Sequence, residues 1–492
     1  MVFNSYTFIA FFIIMLILHN LPFTWKVKKV NLLLASYVFY AAWNPPFILL
    51  LWLSTVVDYF VGRALYTQEN KRKRKLLLVL SLIGNLGMLC FFKYGTFLLD
   101  NFTHLVNLLG MDYHPAKPNI ILPAGISFYT FTTLCYTIDM YKRKSEPVKS
   151  LLDFSLFVTF FPHLVAGPIV RPPQLVPQFE TERRASQQQL MQGLLLVSLG
   201  LFMKVVLADS MLAPTANDIF GSGGPLKTLD AWTGVLAFSG QIFCDFAGYS
   251  TCAIGVALCL GFVLPHNFLY PYAAIGFSDF WRRWHITLSA WLRDYLYIPL
   301  GGNRNGKFRT YMNLMITMLL GGLWHGANWT FVVWGALHGA YLWGEKIIQD
   351  LRKKPEPLVP VASGELGVLG AIPKEFKEKT IRNFIYAMIT FFFINVTWVF
   401  FRAPDFTAAW QLLTSMFSSV PKAEAYLTTL SIIKVMVIVT LLVAFHWMMR
   451  NTKVLTVAEK MPWWLLGIVW SVLLLLLIWS QESSSSFIYF QF

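Results

Sequence analysis

Charged residues are scarce in this 492-residue sequence: they make up 13% of the chain, whereas an ordinary soluble domain carries about 25%. Hydrophobic residues account for 56%. A soluble fold cannot bury so much apolar surface, and the repeated apolar runs have the length of roughly 20 residues that a helix needs to cross a bilayer. The composition therefore excludes an ordinary soluble domain and predicts an all-α, polytopic membrane protein.

Acidic residues are also few: 25 Asp and Glu stand against 40 Lys and Arg, which gives a net charge of +15. In a soluble protein this excess would suggest a nucleic-acid partner. Here the basic residues cluster in short loops between apolar runs, at 26–29, 71–75 and 142–144, as the positive-inside rule predicts for cytoplasmic loops. We therefore predict membrane lipids and no nucleic acid as partners, and an N-terminus outside the cytoplasm. The first run, 3–21, lacks the flanks of a signal peptide and is predicted to be a retained span.

Motifs for metal or cofactor binding are missing. The five cysteines, all within apolar runs, show no CxxC spacing and predict neither a disulfide framework nor a metal site. They are Cys90, Cys135, Cys244, Cys252 and Cys259. No HExxH motif occurs, and no GxSxG, Walker or GxGxxG motif has the strand-turn-helix setting that it needs. We predict no bound metal and no bound cofactor.

The apolar runs predict roughly 11 or more membrane segments, some of them re-entrant, around a central cavity or tunnel. Residues 31–60 are broken at Asn44-Pro45-Pro46, and 151–170 are broken by prolines and predict a re-entrant piece. The Gly- and Pro-containing stretch 213–228 is predicted to be a loop. We expect a single membrane domain, 1–492, with a core at 1–350 and C-terminal helices at 380–492. Several prolines and mixed charges predict a linker over 345–379, and the domain bounds set it at 351–379.

Three histidines, His285, His325 and His338, lie close together in the segment 277–339, where ionisable groups are otherwise rare. A helix over 308–343 would be about 54 Å long, far beyond a bilayer core, so it must tilt, kink or divide. Gly321, Gly322 and Gly326 mark the expected break. This puts His325 at an irregular point in the bundle.

Trp324, Asn328 and Trp329 flank His325 and are candidates for binding substrate. A partly dry cavity favours the neutral imidazole, which is available as a base. A histidine that bonds a carbonyl between packed helices fits the pattern equally well. The sequence leaves both interpretations open.

The motif WRRWH, residues 281–285, predicts a polar helix face that continues through Arg293, Asp294 and Tyr297. Arg282 and Arg283 are candidates for binding donor phosphates, with Arg304 and Arg309 nearby; arginines that reach lipid headgroups are the alternative. His338 is predicted to be a packing residue. Two further candidates to line the cavity are His163, in the proline-broken segment, and Asp245, in the long apolar run 232–262.

Several blocks together resemble the membrane-bound O-acyltransferase (MBOAT) superfamily, in its alginate O-acetyltransferase branch. The central ones are FSDFWRRWHITLSAWLRDYLYIPLGGNR (277–304) and GGLWHGANWTFVVWGALHG (321–339). The others are MVFNSYTFIAFF (1–12), ILPAGISFYTFTTLCYTIDMYK (121–142), FFPHLVAGPIVRP (160–172), CDFAGYSTCAIG (244–255) and FIYFQF (487–492). The likeness covers nearly the whole chain except 351–379. The near-invariant histidine of the family matches His325, and its second characteristic polar position matches His285.

The resemblance implies a multi-helix MBOAT bundle in a bacterial inner membrane. It implies transfer of acetyl from cytoplasmic acetyl-CoA, as a donor substrate, toward hydroxyls of an exported, alginate-like polysaccharide. His325 would be the general base, and His285 would orient donor or acceptor. Expected partners are an extracytoplasmic SGNH-hydrolase-like acetyltransferase and other envelope polysaccharide-modification proteins. Three alternatives remain: transfer of D-alanyl or another acyl group to teichoic acid or another envelope glycopolymer, a polysaccharide transporter, and a non-catalytic scaffold. Against the transporter, no inverted repeat is detectable.

Overall fold

The structure, a computed structural model, describes residues 1–351, 380–418, 425–480 and Ile488. Every regular element in these residues is helical. In chain order the helices are α1 Tyr6–Asn20, α2 Trp25–Ala41, α3 Phe47–Thr67, α4 Lys71–Leu108, α5 Ile126–Tyr141, α6 Leu151–Thr159, α7 Phe161–Leu164, α8 Pro172–Glu180, α9 Gln187–Phe220, α10 Thr228–Cys259, α11 Phe277–Trp281, α12 Ile286–Leu292, α13 Gly306–His325, α14 Trp329–Leu351, α15 Ile381–Arg402, α16 Phe406–Phe417, α17 Thr429–Met449, α18 Val454–Lys460 and α19 Trp463–Trp479.

Six of these helices, α3, α4, α9, α10, α15 and α17, are long and apolar enough to cross a membrane. Two shorter apolar helices, α1 and α19, accompany them. The prediction of an all-α, multi-pass membrane protein is confirmed. The larger number of segments and the central cavity stay predictions.

Contacts within the chain group into two units, Met1–Leu194 with Ala253–Leu264, and Leu195–Cys252 with Pro265–Phe492. The expectation of one membrane domain stays a prediction. Most of its linker, 352–379, lies outside the described residues, as do all but Ile488 of the terminal FIYFQF motif.

The first unit contains the two proline breaks that the sequence indicates. The chain leaves the helix between α2 and α3, at Asn44-Pro45-Pro46, and the segment 151–180 is divided into the short helices α6, α7 and α8. The broken segment is therefore confirmed, whereas its re-entrant course stays a prediction. His163 lies in α7 and is buried, with its ring 6.2 Å from that of Phe160.

Two of the basic loops lie at the same end of the first unit. The Arg143 guanidinium donates to the Glu69 carboxylate at 2.9 Å, which joins the chain after α5 to the chain that precedes the 71–75 cluster. The predicted topology requires these loops to share one side of the membrane. Which side that is stays a prediction.

A buried carboxylate ties three helices of the first unit together. Asp58 of α3 accepts hydrogen bonds from Ser81 (2.6 Å) and Asn85 (2.8 Å) of α4. It also accepts one from Thr137 of α5 at 3.3 Å. Both oxygens are thereby occupied, as a buried carboxylate requires.

In the second unit, two boundaries predicted from the sequence are wrong. Residues 213–220 are helical, so the loop predicted at 213–228 is confined to 221–227. Pro214 lies inside α9, where the π-helical stretch Phe202–Leu212 passes into the α-helical segment Ala213–Phe220. A local change of helix type is one of the ways in which a helix accommodates a proline. The composition change at residue 345 is likewise not a structural boundary, because α14 continues to Leu351. Glu345 of this helix accepts a hydrogen bond from the backbone N–H of Ser278 at 2.8 Å.

Candidate functional site

The division of the over-long segment 308–343 into two helices is confirmed. Helix α13 ends at His325 and α14 begins at Trp329, so that Gly326 lies at the break while Gly321 and Gly322 remain helical. The two helices pack closely at Gly322 and Gly335: an added Cβ at Gly322 would meet the Phe331 carbonyl oxygen at 2.2 Å. Only glycine permits this approach. The close packing fixes the end of α13, and with it the position of His325.

Aromatic rings surround the His325 imidazole, which is 2% exposed. Its centroid is 5.0 Å from the ring of Trp324, 4.9 Å from Trp334 and 5.3 Å from Phe401, all in edge-to-face geometry. The predicted irregular position is confirmed. The catalytic role stays a prediction.

The predicted continuous polar face from Arg282 to Tyr297 is wrong. Helix α11 ends at Trp281, and α12 begins only at Ile286. Between them the chain turns through His285, whose φ of 42° lies in the left-handed region. A non-glycine residue rarely adopts this conformation, which is retained mostly where surrounding contacts enforce it.

His285 is fully buried, and its contacts explain the turn. Its Nδ1 lies 3.2 Å from Oδ1 of Asn267, and the next backbone N–H, that of Ile286, donates to the Asn267 carbonyl at 2.9 Å. The ring of Phe246 packs edge-on at 4.8 Å. His285 lies outside the six candidate spans, and burial lowers its pKa to about 3. The imidazole is therefore neutral at physiological pH.

Trp324 contacts both predicted catalytic histidines. Its ring is 5.9 Å from that of His285 and 5.0 Å from that of His325. Trp334 extends the series, at 4.9 Å from His325 and 4.6 Å from His338. We call these five residues, His285, Trp324, His325, Trp334 and His338, the histidine row. The three histidines lie within 53 residues of one another in the sequence, and the indole rings of Trp324 and Trp334 pack between them.

The third histidine of the row, His338, is anchored by a hydroxyl. Oγ1 of Thr397 donates to the Ile394 carbonyl at 2.7 Å, so it can only accept from Nε2–H of His338, 3.1 Å away. This bond joins α14 to α15. The packing role of His338 stays a prediction.

Arg283 is not placed as a headgroup or donor contact would require. It is 1% exposed, and its Nε donates to Asp279 at 2.9 Å. Arg450 approaches the same carboxylate at 2.6 Å. We call Asp279, Arg283 and Arg450 the ion-pair cluster. The guanidinium of Arg283 is therefore held inside the protein. Of the four candidate arginines, the other three, Arg282, Arg304 and Arg309, are exposed and within reach of an external anion.

Asn328 and Trp329 lie at the start of α14. Oδ1 of Asn328 accepts from the backbone N–H of Thr330 at 3.0 Å, and its Nδ2 donates to the Pro404 carbonyl at 2.9 Å. Trp329 is 51% exposed. The structure places Trp324 against His285 and His325. A substrate-binding role for Asn328 and Trp329 stays a prediction.

Asp245 is buried in an ion pair. Lys204 of the π-helical part of α9 lies 2.5 Å from one oxygen of Asp245 and 2.9 Å from Asp209. The other Asp245 oxygen accepts from the backbone N–H of Ile488 at 2.7 Å. Asp245 therefore holds the chain near its C-terminus, a contact that sequence reasoning missed. A role in binding substrate stays a prediction.

Sequence reasoning also missed Asn267, Asp279 and Arg450. Asp279 had a visible signal in the sequence, because it precedes Arg283 by four residues, which is the spacing of an ion pair within a helix. Asn267 and Arg450 had none, since they lie 18 residues before His285 and 171 residues after Asp279. Only the folded chain brings them together.

Comparison with known proteins identifies the family. The chain matches the model of "MBOAT, membrane-bound O-acyltransferase family" over residues 6–368. It is 40% identical over 425 residues to the probable alginate O-acetylase AlgI of Azotobacter vinelandii, which covers 85% of this chain and 78% of the relative. It is 41% identical over 420 residues to the protein of the same name from Pseudomonas aeruginosa, with 85% and 75% covered.

A third relative carries a different name. The peptidoglycan O-acetyltransferase of Helicobacter pylori is 38% identical over 435 residues, which cover 83% of this chain and 76% of the relative. All three alignments extend well beyond the histidine row, in agreement with the sequence blocks spread along the chain. The chain is a multi-pass membrane acyltransferase and belongs to the membrane-bound O-acyltransferase family.

Proposed function

We propose that this protein transfers an acetyl group from acetyl-CoA on the cytoplasmic side of a bacterial inner membrane to a hydroxyl of an exported polysaccharide. The observation that carries the proposal is the contact of Trp324 with both His285 and His325, at 5.9 and 5.0 Å. Through this contact, two histidines that are 40 residues apart in the sequence belong to one site. The names of the relatives support an O-linked acetyl group and a glycan acceptor.

His325 acts as the general base in this proposal. Its neutral imidazole takes the proton from the acceptor hydroxyl as that oxygen attacks the thioester carbonyl carbon. A C–O bond forms, the C–S bond breaks, and the proton passes from the imidazolium to the departing CoA thiolate. The step needs no further co-reactant, because a thioester is already an activated acyl donor.

His285 positions the reacting group beside this base. It is buried and held at its Nδ1, so that the ring has one fixed orientation. Correct placement of two reactants removes much of the entropic barrier to a bimolecular step. The exposed basic residues, among them Arg282, attract the phosphates of the donor.

The polymer proposed as acceptor is an alginate-like polysaccharide or another envelope glycan. We propose that a separate extracytoplasmic acetyltransferase of the SGNH-hydrolase type, together with other modification proteins, completes the transfer. Labelling of a cysteine introduced at Lys73 from the cytoplasmic side only is the result expected for the proposed orientation. Labelling from outside would reverse it.

The deciding experiment supplies acetyl-radiolabelled acetyl-CoA to the purified protein in liposomes that enclose the glycan. We expect release of the CoA thiol together with label on the glycan or on an added partner protein. Label that comes only from a D-alanyl carrier protein would instead favour the teichoic acid reaction. Glycan movement without thiol release would favour a transporter.

A further inference from the structure

We propose that Asn267 is the positioning residue of the site: it fixes both the backbone turn and the tautomer of His285, so that Nε2 of this histidine accepts a hydrogen bond. The proposal rests on the proposed function, because it assigns the chemical form in which His285 meets the substrate. Asn267 is itself 1% exposed and belongs to no helix.

The backbone of Asn267 maintains the strained turn. Its carbonyl accepts from the N–H of Ile286, the first residue of α12, at 2.9 Å. Leu269, two residues farther on, donates its N–H to the carbonyl of Arg283 at 2.9 Å. These two bonds bracket His285 and enforce its left-handed φ of 42°. A strained conformation of this kind persists only where such contacts over-determine it.

The side chain of Asn267 can be oriented in only one way. Its Oδ1 faces the backbone N–H of Thr287 at 3.3 Å and the Thr287 hydroxyl at 2.9 Å. A backbone N–H can only donate, so the atom opposite it must be the carbonyl oxygen of the amide and not its NH2 group. A flipped amide would set two donors against each other.

The orientation of the amide determines the tautomer of the histidine. Nδ1 of His285 lies 3.2 Å from the same Oδ1. Because Oδ1 only accepts, Nδ1 must carry the proton, and in the neutral ring the lone pair is then on Nε2. His285 therefore interacts with the substrate through an acceptor nitrogen. The single proton of the reacting hydroxyl goes to His325 in the proposed reaction, so the group that donates to Nε2 of His285 is a different O–H or N–H of the substrates, such as a neighbouring hydroxyl of the glycan.

His338 provides an internal contrast. Its Nε2 donates to Thr397, as described above, so it is held in the opposite tautomer. Two buried histidines of one row are thus fixed in different forms by different partners. This difference gives the proposal a spectroscopic signature that does not depend on activity.

The test is a double-mutant cycle between Asn267 and His285 in the reconstituted, full-length protein. Asn267→Leu keeps the size of the side chain and removes the acceptor. We expect it to lower the rate of CoA release about 10-fold, because the hydrogen bond that orients the His285 ring is lost. In the His285→Ala background the same substitution should have no further effect, because Asn267 acts through His285.

Asn267→Asp tests rescue and separates positioning from folding. The carboxylate retains an acceptor for all three donors, so most of the activity should return. Its negative charge stabilises the imidazolium and raises the pKa of His285, so the acidic limb of the pH–rate profile should shift to higher pH. A residue needed only for folding would not move this limb. Asn395→Leu is the matched control, since Asn395 is an equally buried amide whose Nδ2 donates to a carbonyl of its own helix, that of Phe391.

The tautomer itself can be read from 15N-histidine spectra of the protein in nanodiscs, with the His285 signals assigned by their loss in His285→Ala. We expect protonated Nδ1 in the wild-type protein and a change in Asn267→Leu. Protonated Nε2 in the wild type, a wild-type rate in Asn267→Leu, or an equal loss in the His285→Ala background would each overturn the proposal. If the wild-type protein released no CoA, the proposed function would fail alone, and the spectra would still decide the tautomer.

Discussion

The ion-pair cluster and the histidine row belong to the same unit of the protein, and only a few residues of sequence separate Asp279 from His285, yet they hold their polar groups in opposite ways. In the cluster, two guanidinium groups meet one carboxylate at 2.9 and 2.6 Å and also donate to backbone carbonyls. In the row, neutral imidazoles are packed between aromatic rings. The ion-pair cluster therefore neutralises buried charges and stabilises the fold. The row has the residue type that exchanges protons.

This comparison predicts that a substitution in the cluster removes folded protein and that a substitution in the row removes activity. The largest effect is expected for Asp279→Ala, which leaves two buried guanidinium groups without their carboxylate. Loss of one partner of a buried ion pair costs roughly 3–5 kcal/mol. Thermal unfolding of the detergent-solubilised protein measures it. Glu69→Ala breaks the exposed pair with Arg143 and is the control that should unfold close to the wild-type temperature.

The second effect in size concerns the base. His325→Ala or His325→Gln should lower acetyl transfer by about 10² to 10⁴, roughly 3–5 kcal/mol in the barrier, because general-base assistance is lost. The unfolding temperature should stay near that of the wild type. A correctly inserted His325→Ala protein that acetylates at the wild-type rate would contradict the assignment of His325 as the base. It would also contradict the division of roles between the histidine row and the ion-pair cluster.

The other two histidines of the row should follow in order. His285→Ala should reduce the rate less than His325→Ala, because His285 positions a reactant and does not take the proton. His338→Ala should be mild, since it removes one bond to Thr397 and leaves Trp324 between the other two histidines. Rates of CoA release in one membrane preparation rank the three. If His338→Ala lost more of the CoA-release rate than the other two variants, the reaction would have to be placed near His338.

The smallest effects should come from the exposed arginines. Separate neutralisation of Arg282, Arg304 and Arg309 should weaken the apparent affinity for acetyl-CoA and leave the maximal rate and the fold intact, because a surface charge attracts the donor without ordering the site. Arg283→Gln should instead destabilise the protein, since Arg283 is a member of the ion-pair cluster. Unchanged affinity in all three exposed variants would assign them to lipid headgroups.

Much of the fold could be predicted because its signals are local. Apolar runs of bilayer length, the proline breaks at 44–46 and 162–173, and the glycine break after His325 need only neighbouring residues to be recognised. The errors arose where a local signal competed with a distant one. Pro214 suggests a loop but lies in the first turn of a helical segment, and the charged residue Glu345 suggests a linker but bonds Ser278.

The sequence alone determined the membrane class and the family, and it indicated the candidate histidines, because these depend on composition and on motifs read along the chain. Only the tertiary structure decided which polar groups share a site. Asn267 reaches His285, Arg450 reaches Asp279, and Trp324 joins His285 to His325 across 40 residues. The physical reason is that the tautomer of an imidazole and the neutralisation of a buried charge are set by atoms within about 3 Å, whatever their separation in sequence.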